Sequence, residues 1–583
     1  MRFFLKNSGF TMVESLVVAS VSVIIFGSLM LAYMYSLELV SVSRSKLSAL
    51  SAANQRMEYF RSLPYDSVGT ILGIPSGLIP QNSTTTLNGI EFHERVLVEY
   101  VDDDADGQGA ADGNAIVSDY KRVKLEYTWK IGEETYDLML VSDVIPRSVE
   151  TSAGGGTVRV NVLDADASPL SGANVRLFNT VVGPVDVTRF SDVSGTALFS
   201  GAATGSDYQV VVTANIGGQQ YSTAQTYVAT TSNPNPIVSP FSVLEADVST
   251  LTFQIGELSD LDVLTWSSLT EGSFSETFVD LTAISSSSAV AAVGGNLVLQ
   301  DTVGVYETIG VAYLGPIAPV PLSRWQTLRI AAVSSANTAY RVQLFTGAFP
   351  GPFILIPDVD LPGNAAGFTD TIIDISSLDQ GVYPSVIVGV TLETSDTAVT
   401  PSVDEVSVFY RQSGTALADA AFTMHGNKII GTNASAQPIY KYDISSSTDA
   451  SGELTIIDLE FDDFTFAFGG HDIAMACGGH PFVQQAGVDG EFETVLVPDA
   501  ADTLRVTVVD MSGRTIPGAD VRLTRIGYDV TIATDSCGQA FFTGGVSANS
   551  DYTIEVATTG YVNNTVNSFT ISEDTATTII LSE

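Results

Sequence analysis

Residues 10–62 read as one helix with two different surfaces. From Ser15 through Leu37 no charged residue occurs. About 20 apolar residues are enough for a helix to cross a ~30 Å hydrocarbon core, so this run predicts a membrane span. Further on, Leu47, Leu50, Ala53 and Met57 recur every three or four positions, the period of a helix with one packed face. Pro64 predicts the stop, because it disfavours helical geometry at Leu63. At about 1.5 Å per residue, a helix over 10–62 would be roughly 80 Å long. Such a division suits a rod with one end in a membrane or fibre core and the other against a globular head.

Past Pro64 the apolar period changes from helical to alternating. Residues 91–100, 120–129 and 134–141 predict three strands of a small head spanning 63–150. A glycine-rich joint, Ala153-Gly-Gly-Gly156, opens the next part, and from there the chain repeats itself. Leu170-Ser-Gly-Ala-Asn-Val-Arg-Leu177 is echoed by Ile516-Pro-Gly-Ala-Asp-Val-Arg-Leu523. Asp192-x-x-Gly195 is echoed by Asp535-x-x-Gly538 and, in a weaker copy, by Asp449-x-x-Gly452. Each is followed about a dozen residues later by Asp and an aromatic: Asp207-Tyr208, Asp463-Phe464 and Asp551-Tyr552. Asp bonding the backbone two residues on, with Gly at positive φ, predicts a tight turn between strands. The copies are placed at 151–256, 413–500 and 501–583. Between them, 257–412 carries strand-like runs separated by Pro, Gly and Ser clusters, which predicts a two-sheet jelly roll. The fold class expected is α+β: one long helix, a small β head, and several all-β domains.

Composition narrows the partners. Lys and Arg total 25 against 66 Asp and Glu, a formal charge of −41. A phosphate backbone wants a basic face, so nucleic acid is excluded as a partner of the β domains. The 45% hydrophobic content excludes wholesale disorder. Cys477 and Cys537 are the two cysteines of the chain, one in each of the last two repeats. Cys537 sits where the sister turns carry Ser194 and Ser451, a loop position, so one disulfide between them is expected in an oxidising compartment. Free buried thiols are the alternative.

Candidate chemistry is sparse. No G-x-S-x-G elbow, H-E-x-x-H pair or P-loop occurs, and four histidines give acid–base catalysis little to draw on. No catalytic residue and no cofactor is assigned. Asp102-x-Asp104-x-Asp106-Gly107, with Asp112, has the oxygen spacing of a calcium loop but has Gly113 where a bidentate Glu belongs. An acidic solvated loop is favoured over calcium there. His471, Asp472, Cys477 and His480 fit no standard zinc spacing. Trp266, Trp325, Tyr306 and Tyr313 would make a sugar-stacking face, but core packing is favoured.

The N-terminus carries the most specific pattern, Ser8-Gly9-Phe10-Thr11-Met12-Val13-Glu14, behind a short leader with Arg2 and Lys6. It resembles the class III leader and N-terminal helix of type IV pilins and pseudopilins. That resemblance implies cleavage between Gly9 and Phe10 by a prepilin peptidase that also methylates the new N-terminus. It further implies that Glu14 docks the subunit into a fibre, where a neighbour's terminal amine would give the buried charge a partner. Residues 56–66 and 119–129 look similar to V-type minor pilins. The repeats resemble carboxypeptidase regulatory-like domains, immunoglobulin- or transthyretin-like sandwiches, which implies a structural or adhesive role.

The expected function is therefore a minor or tip pilin-like subunit, held in the cytoplasmic membrane by one helix with its other domains outside. It then enters a surface fibre and presents β-sandwich domains to an unidentified glycan or protein ligand. Its expected partners are the peptidase, other pilin subunits and the assembly machinery. The alternatives are a pseudopilin of a secretion or DNA-uptake system and a membrane-tethered carbohydrate-active enzyme. Position along purified fibres separates the first two, and a glycan-cleavage screen tests the third.

Overall fold

The computed structural model describes residues 12–101, 120–132, 134–145, 155–181, 185–245 and 247–583. They form two compact units: Met1–Glu257 with Ile430–Pro438, and Leu258–Ile429 with Ile439–Glu583. In the first unit, α1 runs unbroken over Met12–Ser62. An antiparallel meander follows, β1 (Asn82–Leu87), β2 (Ile90–Val101), β3 (Tyr120–Ile131) and β4 (Glu134–Val144), in that spatial order. Three of these strands follow the expected alternation; β1 reads Asn-Ser-Thr-Thr-Thr-Leu and carries too little apolar signal to be seen. It is tied to β2 by Asn88-Gly89, both at positive φ (52° and 79°), the backbone demanded by a two-residue hairpin turn.

The packed stripe of α1 differs from the expected one. Leu47 and Leu50 are 67% and 39% exposed, and the face against the sheet is Ser45, Ala49, Ala53, Met57 and Phe60. The reason is volume. Phe92, Tyr127 and Trp129 of the sheet already fill the interface, so the helix presents small residues and its backbone comes close.

Three β-sandwich modules share one topology. In the module following the head, strand Gly156–Leu163 lies parallel to Val248–Gln254 and antiparallel to Thr196–Ala202. In the last module, Thr503–Val509 lies parallel to Asp574–Ile580 and antiparallel to Gln539–Phe542. In the middle one, the first part of Ser259–Glu276 lies parallel to Gly490–Pro498 and antiparallel to Glu453–Leu459.

The same polar clasp closes all three. Val162, Thr265 and Val508 each donate a backbone N–H to the carbonyl of Gly195, Gly452 and Gly538, at 2.7–2.8 Å. Their own carbonyls accept from Leu170, Leu417 and Ile516 at 2.9 Å. Asp192, Asp449 and Asp535 each accept backbone N–H groups two and four residues on, at 2.7–3.1 Å. The hydroxyls just before them, on Ser191, Thr448 and Thr534, accept from Ala173, Ala420 and Ala519 at 2.8–3.1 Å. Glycine is required at the turn. Its φ is 71–77° in the three copies, and a Cβ there would sit 2.5–3.0 Å from the carbonyl of Val162, Thr265 or Val508.

Thr265 thus occupies the place of Val162 and Val508, which fixes the chain order of the middle module. Its first strand precedes 257–412 rather than following it. The boundary expected at 412/413 is crossed by strand Ser402–Ala416, which pairs with the second part of Ser259–Glu276. The middle module is therefore split, and the intervening domain is inserted after its first strand. That inserted domain is a two-sheet sandwich. One sheet holds Val290–Val293, Asn296–Leu299, Ser402–Ala416, Arg324–Val333 and Ile372–Asp374; the other holds Ile284–Ser288, Ile309–Ile317, Val386–Thr394, Thr338–Thr346 and Ile354–Leu355. Trp325, Leu328, Val388 and Val406 are central in its core.

A fragment beginning at residue 413 and ending at 500 should consequently stay unfolded, whereas 258–500 should fold. Far-UV circular dichroism and a cooperative thermal transition distinguish the two; a cooperative transition from the shorter fragment would contradict the split.

Candidate functional site

Among the described residues, α1 exposes a long run of large apolar side chains. Phe26, Leu29, Leu31, Met34, Tyr35 and Leu39 are all more than half exposed, and they point in every direction around the helix. A single helix that is apolar all round is not a water-facing structure; it needs lipid or other helices. By length and composition it can cross a membrane. Gly9 and Phe10, the expected processing residues, lie outside the described residues. Glu14 falls in the first turn of α1.

Where α1 meets the head, polar contacts fix its rotation and height. Arg56 Nε pairs with Glu94 at 3.0 Å, and the Tyr127 hydroxyl donates to the other Glu94 oxygen at 2.6 Å. Trp129 Nε1 donates to Ser45 Oγ at 3.0 Å, and Arg61 reaches Ser142 Oγ from Nη2 at 2.9 Å. Lys121, 2% exposed, donates to the carbonyls of Tyr65 and Val68 at 2.9 and 2.8 Å, and burial pushes its ammonium down to about 8. The two stretches that resemble V-type minor pilins, 56–66 and 119–129, are thus in direct contact, Lys121 of one holding the Tyr65 carbonyl near the end of the other.

In the second unit the inserted domain, the middle module and the last module are bound together by buried polar groups. Cys477 and Cys537 are disulfide-bonded, with Cα atoms 5.2 Å apart and a sequence separation of 60. Beside them, Gln539 accepts from Ala476 N and donates to Ala476 O, both at 2.8 Å. Arg329 of the inserted domain donates to Glu405 at 2.8 Å and to the Pro517 carbonyl at 3.1 Å. Arg411 forms a two-pronged pair with Glu493 of the middle module at 2.6 and 2.7 Å, and Trp266 Nε1 donates to the same carboxylate at 2.7 Å. Glu271 accepts from Gln326 at 2.9 Å, from Ser536 N at 3.0 Å and from the Ser536 hydroxyl.

That last contact separates the three clasp aspartates electrostatically. The Ser194 hydroxyl and the Thr196 N–H hold Asp192 below the usual carboxylate range, and the N–H groups of Glu453 and Ser451 do the same for Asp449. Asp535 goes the other way, pushed up by burial and by the Glu271 charge. The difference is one of position, since only the last of these turns is packed into a neighbouring domain.

The other expected groups are dispersed. Trp325 is fully buried with its Nε1 donating to the Tyr383 carbonyl at 2.8 Å, and Tyr313 packs on Phe345 and Phe353. Trp266 is taken up by Glu493 and Arg411, and Tyr306 packs against the core of the inserted domain, so no common stacking face forms. Cys477 is consumed by its disulfide. His480 Nε2 accepts from Phe466 N at 3.0 Å, and burial lowers the ring to about 4, leaving it neutral. Asp102, Asp104, Asp106 and Asp112 lie outside the described residues. Sequence reasoning missed the interdomain arginines, Arg329 and Arg411. The signal available was their place in strands that otherwise alternate apolar and small residues.

Reduction should lower the melting temperature of the second unit. A bridged loop of this length stabilises by roughly 4 kcal/mol in the chain-entropy model. Denatured, unreduced protein should show no titratable thiol; two thiols per chain would contradict the bridge.

No protein-family model matches the chain, and no curated protein sequence matches it. Solved structures with some likeness include the TIE protein of Bacillus anthracis, at 11% identity over 86% of this chain and 73% of that one, with a TM-score of 0.15. They also include BcpA, the major pilin subunit of Bacillus cereus, at 9% identity over 73% of this chain and 99% of that one, with a TM-score of 0.13. The RrgB pilus protein of Streptococcus pneumoniae matches at 11% identity over 74% and 99%, also with a TM-score of 0.13. TM-scores this low do not amount to a shared overall fold.

Proposed function

We propose that this chain is a non-enzymatic, pilin-like subunit: membrane-anchored by α1, processed behind Gly9, and then built into a surface fibre as a minor or tip component. The observation that carries the reading is the two-part surface of α1. Its first part is apolar all round, with its described large side chains exposed, and its second part is fastened to a β head by Ala49, Ala53, Met57, Phe60 and the Arg56–Glu94 pair. A subunit that leaves the bilayer for a helical fibre needs both: a surface that exchanges lipid for neighbouring helices, and a head that travels rigidly with it. Glu14, in the first turn, supplies a charge whose only economical place is beside a neighbour's terminal amine. The three sandwich modules and the inserted domain act as the presenting part. Their many interdomain hydrogen bonds in the second unit support a load-bearing or binding role rather than a catalytic one.

Cleavage is expected between Gly9 and Phe10, leaving Phe10 as a methylated N-terminus. Intact-mass measurement of the membrane-extracted protein checks this, and a chain retaining Met1 would sink it.

Glu14→Val should enter the membrane at least as well as the parent, since it removes a charge that costs on the order of 3 kcal/mol at a helix centre. It should be depleted from sheared fibres by an order of magnitude or more. Equal amounts of variant and parent in the fibre fraction would refute the docking role of the carboxylate.

A further inference from the structure

Three carboxylates converge where the middle and last modules of the second unit meet. Asp472 lies in strand His471–Cys477, Asp499 directly follows Gly490–Pro498, and Asp574 opens Asp574–Ile580. One oxygen from each lies within 4.8 Å of the other two. They come from three segments brought together by pairing: Asp472 opposite Val497, and Asp574 opposite Thr503.

Asp472 is the anomalous member. It is 4% exposed; its Oδ2 accepts from Ala500 N at 3.0 Å, but its Oδ1 is buried with no hydrogen-bond partner. Asp574 accepts from Thr503 Oγ1 at 3.1 Å, and Asp499 is positioned by its own N–H donating to the Gly470 carbonyl. Among the described residues, no lysine or arginine pairs with any of the three. Burial, the Asp574 and Asp499 charges and a side-chain contact with the Asp499 carboxyl push the Asp472 carboxyl up. A buried carboxylate beside two like charges is unfavourable, and either a proton shared with Asp499 or a bound cation relieves it.

We propose that Asp472, Asp499 and Asp574 bind a calcium ion that fastens the last module to the middle one. The donors are hard oxygens of the kind calcium takes at about 2.3–2.6 Å, and three of them this close together can share one ion. Asp472 supplies the buried side of the shell. Asp499 and Asp574 are exposed, and water completes the coordination there. Magnesium demands near-ideal octahedral geometry and gives up its waters reluctantly, so calcium is the better match to a partly buried carboxylate site.

The test is a calcium titration of the full chain in detergent at neutral pH after chelator treatment, read by calorimetry and by the melting temperature of the second unit. The parent should bind calcium and melt several degrees higher when saturated, with a smaller response to magnesium at equal concentration. Asp472→Asn and, at the exposed edge, Asp499→Asn should each lose one binding equivalent and the thermal shift. Asp104→Asn combined with Asp106→Asn should keep both. If Asp472→Asn fails to fold, Asp499→Asn alone decides. No calcium response in the parent, an equal response to magnesium, or a full response in Asp499→Asn overturns the assignment.

Discussion

The β architecture depends on one repeated interaction, the clasp in which a hydroxyl, an aspartate and a glycine close the turn onto the first strand of each module. Its geometry is the same in three places: Ser191, Asp192 and Gly195; Thr448, Asp449 and Gly452; Thr534, Asp535 and Gly538. Each bond is worth only about 1 kcal/mol net, but each also satisfies a backbone group that would otherwise be buried unpaired, and that loss is larger. The clasp therefore acts on register. With the glycine carbonyl holding Val162, Thr265 or Val508, a slip of one residue would turn every inward side chain of the first strand outward.

The split of the middle module follows from the same constraint. The clasp needs a first strand, and the strand that meets it carries Thr265, 152 residues before Leu417 in the chain. An insertion of this size is tolerated because the cost of closing a long loop grows only logarithmically with length. It also has a mechanical consequence. Strand Ser259–Glu276 belongs to the middle module at one end and to the inserted domain at the other, so a single continuous backbone ties the two. Arg411 with Glu493 and Arg329 with the Pro517 carbonyl add contacts on either side. These are buried charges, costly to bring out of water, and they hold their place because each carboxylate is met by further donors: Trp266 on Glu493, and Ser275 and Ser407 on Glu405.

At the other end of the chain, physical demands on α1 change along its length. The described residues of the segment before about residue 40 are largely exposed, while the last five turns are fixed by small residues against an aromatic-rich sheet. Ser45, Ala49 and Ala53 make that possible, since leucines at the same places would hold the helix away from Trp129 and Tyr127. The larger Leu47 and Leu50 are left facing outward, on a helix already suited to meet other helices.

The sequence by itself determined what local chemistry can encode. The length and apolar character of α1, its stop before Pro64, the β nature of the rest and the Asp-x-x-Gly turns were all legible, because periodicity, proline geometry and turn residues act within a few positions. The pairing partners of Cys477 and the position of Trp325 were open between alternatives that spacing cannot separate. The tertiary structure decided which helix face packs, since that depends on the volume of Phe92, Tyr127 and Trp129 across the interface. It decided that the first strand of the middle module lies ahead of the inserted domain, because strand pairing ignores distance along the chain. It also gathered Asp472, Asp499 and Asp574, residues far apart in sequence, whose mutual charge exists only once three strands are aligned.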